Sequence, residues 1–138
     1  MTQDTIHDRN QTLPQLVIDE THCDQLLDLA YGAMRRFPDV AARLLEEIDR
    51  AIVVDADKMP AHVVTIGSEV TYRDNTTGLA ETVTLVFPRD ADIAQGRASV
   101  LTPIGAALIG LAEGDTLDWT IRSGKRRLLT VLTVRPPE

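Results

Sequence analysis

The chain has 138 residues, 43% of them hydrophobic and 25% charged, at a formal net charge of −7; this supports one ordinary domain or a small domain with a helical appendage, and disfavours non-specific binding to phosphate backbones. Its single cysteine, Cys23, excludes an intrachain disulfide framework and a cysteine-based zinc site, and a lone thiol fits a reducing cytoplasm. Aromatic residues make up only 4%, so the core must be aliphatic and a base-stacking platform is not expected.

Residues 1–16 are polar and lack periodicity, which predicts a mobile tail with no apolar signal core. Asp19 is a suitable N-cap for a first helix whose stripe is Cys23, Leu26, Leu27, Ala30 and Met34, with Arg35 and Arg36 in its last turn. Phe37-Pro38-Asp39 breaks that helix, because proline disfavours helical conformation in the residue before it. A second helix restarts at Pro38 or Asp39 and carries Val40, Ala41, Leu44, Leu45, Ile48 and Ile52 on one side. So short a break forces antiparallel packing, a short helical hairpin (coiled coil) over residues 17–53 with a first helix roughly 25 Å long.

Residues 54–66 read as a connector. From residue 67 to 136 the period becomes two. Strands are expected around Val70–Tyr72, Val83–Phe87, Ala98–Leu101, Leu117–Ile121 and Leu128–Val134, with a turn at residues 74–78, a polar loop at 89–96 and a tight hairpin at Ser123-Gly124. Thr102 caps a brief helix with Pro103 at its first position and Gly110 near its end. The predicted class is α+β: a helical hairpin followed by a twisted antiparallel sheet with one short helix. The longest apolar runs, such as residues 106–112, are too short to span a bilayer.

The segment from Ser99 to Asp115, with its Ser-Val-Leu-Thr-Pro start and Glu113-Gly114-Asp115 turn, then Leu117-Asp118-Trp119 and a Gly124 hairpin, resembles the C-terminal domain of the GreA/GreB transcription elongation factors. Met59-Pro-Ala-His-Val-Val-Thr65 followed by Ser68, with the short hairpin, resembles the Rnk branch (regulator of nucleoside diphosphate kinase) of that family; the likeness covers roughly residues 18–136. The resemblance implies an FKBP-like C-terminal domain without a working prolyl-isomerase site. It also implies docking at the secondary channel of bacterial RNA polymerase, with the domain on the rim and the hairpin projecting inward.

In this family, docking residues at the proline motif correspond to Leu101, Thr102 and Pro103 here, although some members have an acid where Leu101 stands and a basic residue where Ala106 stands. Thr102-Pro103 reads equally as a helix start, and the two roles are compatible. Cleavage factors carry paired acids at the hairpin tip to help hold catalytic magnesium. Here the tip has Arg35, Arg36 and Asp39, and Asp39 reads as a helix cap worth about 1 kcal/mol; cleavage stimulation is therefore expected to be absent. Lys125, Arg126 and Arg127 form a basic cluster that reads as a solvated turn or a contact to acidic polymerase surface or nucleic acid. His7, His22 and His62 show no ligand spacing with one another or with Cys23, and no catalytic set, cofactor or metal site is expected. The expected molecule is a monomeric, cytoplasmic, non-enzymatic regulator whose partner is RNA polymerase, with no sequence-specific nucleic-acid or membrane binding. The alternatives are an interaction module acting on nucleoside diphosphate kinase by another route, and a prolyl isomerase.

Overall fold

A computed structural model describes residues 16–120 and 126–137, the side chains of 118–120 and 126–127 excepted. Asp19 ends a short strand, β1 (Val17–Asp19), and its carboxylate accepts the backbone N–H of Thr21 at 2.8 Å, which starts α1 (Glu20–Ala33). The helix stops at Ala33, before Met34, Arg35 and Arg36; Phe37 N–H closes the turn onto the Ala33 carbonyl at 2.8 Å. Pro38 then opens α2 (Pro38–Asp49), where its missing N–H costs nothing. Two expectations are corrected here. Arg35 and Arg36 sit in the connecting turn and not in the last helical turn. Asp39 lies inside the first turn of α2, while Phe37 occupies the cap position without a side-chain cap bond. With 14 residues, α1 is about 21 Å long.

The two helices bury Leu26, Ala30 and Ala33 from α1 and Ala41, Leu44 and Ile48 from α2. After α2, β2 (Ile52–Val54) pairs in parallel with β1, with Val17 opposite Ile52. This ribbon was not anticipated, and it moves the start of ordered packing. Leu16, assigned from sequence to the mobile tail, is fully buried, its carbonyl accepts Ile52 N–H at 2.9 Å, and Val17 N–H reaches the Gly110 carbonyl at 3.1 Å.

The remaining strands are β3 (Glu69–Asp74), β4 (Ala80–Val86), β5 (Arg97–Ser99), β6 (Thr116–Thr120) and β7 (Arg126–Arg135), with α3 (Pro103–Leu108) between β5 and β6. They form a sheet of order β5-β4-β3-β7-β6. The expectation of a wholly antiparallel sheet is corrected: β4 and β5 are parallel, with Leu85 opposite Ala98. The loop between them, turning at Pro88–Asp90 and Ile93–Gln95 and reversing through Gly96 in the left-handed region, carries the chain back beside Thr84, in the second half of β4. Gly96 O then accepts Thr84 N–H at 2.7 Å. Alternation alone does not distinguish a parallel neighbour from an antiparallel one. A bulge in β7 opposite Thr71 and Tyr72 leaves Leu132 unpaired between Val131 and Thr133.

Leu16, Ile18, Leu26, Leu44 and Ile48 belong to the same buried cluster as Val70, Leu85, Leu108, Leu117 and Val131. The hairpin and the sheet therefore share one core. The Ser123-Gly124 hairpin and His7 lie outside the described residues.

Candidate docking surface

The loop entering α3 is fastened by its own side chains. Ser99 Oγ accepts Leu101 N–H at 3.0 Å, the Thr102 hydroxyl donates to the Ser99 carbonyl at 2.7 Å, and Thr102 Oγ1 in turn accepts Gly105 N–H at 3.1 Å. Gly105 permits this closeness: a Cβ there would run into the Ser99 carbonyl and lie 2.8 Å from Val100 Cα. Gly105 through Leu108 are buried. Leu101 and Thr102 are half-buried, and Pro103 is exposed. The Thr102 hydroxyl proton is thus committed to the loop, which presents a fastened ridge topped by the exposed Pro103 ring.

The Glu113-Gly114-Asp115 turn locks that helix to the sheet. Glu113 Oε2 accepts Val134 N–H at 2.7 Å, Asp115 Oδ2 accepts Ala112 N–H at 2.8 Å, and Gly114, at φ +89, donates to the Val131 carbonyl at 2.8 Å. Both acids are occupied by backbone amides and serve the fold.

At the hairpin tip Arg35, Arg36 and Asp39 are exposed. The Arg36 guanidinium lies 5.8 Å from the Phe37 ring centroid. Tyr31, Met34 and Phe37 are exposed beside them at 65%, 42% and 47%. Tyr31 had no role in the sequence reading and Phe37 served only to break the helix; Met34, expected on the buried stripe, instead lies past the end of α1 and is exposed. In a chain with so few aromatic residues, two within seven positions were a usable signal. Asp39 is the sole carboxylate in residues 34–40.

His22 is a packing residue. Its Nδ1 lies 3.4 Å from Thr65 Oγ1 and 3.8 Å from the Asp19 carboxylate, and its ring meets Phe87 edge-on at 5.9 Å. Burial pushes the half-buried Cys23 thiol up. Among the described residues no three His, Cys, Asp or Glu side chains converge in a way that would hold a metal ion, and no helix is long and apolar enough to cross a membrane. Of the basic cluster, Arg126 and Arg127 lie in β7 opposite Thr120 and Trp119; their side chains and the whole of Lys125 lie outside the described residues.

Comparison with known proteins agrees with this arrangement. The family model described as transcription elongation factor GreA/GreB, C-terminal, matches residues 59–136, and the Rnk N-terminus model matches residues 14–54. Regulator of nucleoside diphosphate kinase from Escherichia coli K12 is 33% identical over 120 residues, 86% of this chain and 88% of that protein. Transcription elongation factor GreA of Brucella anthropi is 27% identical over 123 residues, covering 86% and 78% of the two chains. A solved structure of a GreA/GreB elongation factor from Nitrosomonas europaea superposes with a TM-score of 0.70 at 32% identity, covering 89% of this chain and 99% of that one. The chain, two helices followed by a mixed sheet, belongs to the Rnk branch of the GreA/GreB family of transcription elongation factors.

Proposed function

We propose that this protein binds bacterial RNA polymerase at the secondary channel, through Leu101, Thr102 and Pro103, and occupies the channel without supporting RNA cleavage. The observation that carries the second half is the tip: residues 34–40 hold a single carboxylate, Asp39, beside Arg35, Arg36 and exposed aromatic rings. One carboxylate beside two guanidinium groups is a poor ligand set for a hard divalent cation. The short hairpin supports the same reading, since about 21 Å of α1 limits its reach. The hairpin unit (17–53) supplies the plug, and the domain at 67–136 supplies the grip. Such a factor is non-enzymatic, acts in the cytoplasm and competes with cleavage factors for one site.

The fastened loop supports the first half, because a rigid exposed proline loses little freedom on binding. Capture of purified core polymerase tests it. Wild-type protein is expected to bind, and Pro103→Arg to weaken binding at least about tenfold, roughly 1.4 kcal/mol. No capture at micromolar concentration, with GreA captured in parallel, contradicts the reading. Co-elution of nucleoside diphosphate kinase in place of polymerase would favour the route suggested by the name of the Escherichia coli relative.

A further inference from the structure

The two ends of the helical hairpin carry patches of opposite sign. At the tip, exposed Tyr31, Met34 and Phe37 are flanked by Arg35 and Arg36. At the base, Ile52 and Val53 of β2 are 50% and 46% exposed, beside Glu20 and Asp55. Acids crowd the base: a hydrogen bond to Asp55, and the charges of Asp55, Asp19 and Asp24, hold the Glu20 carboxyl above its ordinary value. Of the cations near it, Arg50 is paired with the buried Glu47 at 3.2 Å, and Lys58, 3.9 Å from Asp55, is exposed and contributes little.

Each patch is thus an apolar centre with a net charge, positive at the tip, where Arg35 and Arg36 outnumber Asp39, and negative at the base, and the net signs are complementary. We propose that a second copy of this chain covers both patches, with two hairpins lying antiparallel about a two-fold axis and each tip seated on the other's base. This arrangement uses each patch once per copy and closes on itself. Tip-to-tip pairing would instead set arginine against arginine. The exposed carboxylates between the ends, Asp24, Asp28 and Glu46, oppose closure along the hairpin bodies, so contact is confined to the two ends and dissociates readily. Pairing sequesters the tip; it goes beyond the polymerase reading and does not depend on it.

Sedimentation equilibrium on the full chain across the micromolar to millimolar range tests the proposal. The apparent mass is expected to climb from 15.2 kDa toward twice that value. Arg35→Glu with Arg36→Glu makes both ends acidic, and Glu20→Lys with Asp55→Lys makes both basic. Each doubly substituted protein alone is expected to stay monomeric, while an equimolar mixture associates. Ile52→Thr with Val53→Thr keeps branched side chains on the exposed strand and is expected to weaken self-association at least tenfold. A wild-type mass fixed at 15.2 kDa throughout overturns the proposal. So does undiminished association of either charge-reversed protein, or folded reversed proteins that fail to associate when mixed.

Discussion

At Gly105 the first turn of α3 lies against the backbone of Ser99 and Val100, with no room for a methyl group. Gly105→Ala must push the loop off the helix, so a loss of about 1–3 kcal/mol is expected in urea unfolding, and the Thr102 cap should open with it. Tyr72 supplies a pH signature. Burial, then the hydrogen bond its hydroxyl donates to Glu81 at 2.7 Å, raises its pKa well above the ordinary value. Below pH about 10 both folded and unfolded chains keep this proton. Above that, the unfolded chain releases it first, so stability falls as pH rises. Tyr72→Phe is expected to flatten that alkaline fall; an unchanged pH profile would contradict the assignment. Several of these residue roles were legible in sequence. Asp19 and Thr102 read as caps because a short oxygen side chain ahead of an apolar stripe has few other uses. The Gly105 contact was not, since it depends on β5 and α3 meeting across a turn whose tightness no periodicity records.

The element that most alters the picture is the three-residue ribbon of β1 and β2. It passes Leu16 between the hairpin and α3, where Gly110, at φ +84, has a place for a Cβ only 3.1 Å from Leu16 Cβ. Strands this short carry no readable alternation, and Leu16 follows a polar stretch, so the sequence suggested a tail where the fold has a core residue. Leu16→Ala is expected to cost about 2–5 kcal/mol. The helices and the sheet should lose amide protection together by hydrogen exchange, because both border the same cavity. Loss confined to α1 and α2 would show instead that the hairpin is an independent unit. The parallel pairing of β4 and β5 was hidden for a related reason: the loop between Phe87 and Arg97 looked merely polar, and its two tight turns determine strand direction.

For the whole molecule, a shared core means that the hairpin is held at a set angle to the Leu101–Pro103 ridge. On the proposed reading, grip and plug would therefore form one rigid piece. A rigid hairpin with a basic, aromatic tip can fill a channel but cannot complete a two-carboxylate magnesium site. This contrast was visible in the sequence, because it rests on residue types at the tip; the aromatic character of the tip emerged only when Tyr31 and Phe37 proved exposed. The most direct test is competition on backtracked polymerase complexes, with GreA-stimulated RNA cleavage measured as this protein is added. The expected result is a concentration-dependent loss of GreA-stimulated cleavage, none produced by this protein alone, and an inhibition curve shifted to at least about tenfold higher concentration by Pro103→Arg. Cleavage stimulated by this protein alone, or GreA activity unchanged at saturating concentration, would contradict the account.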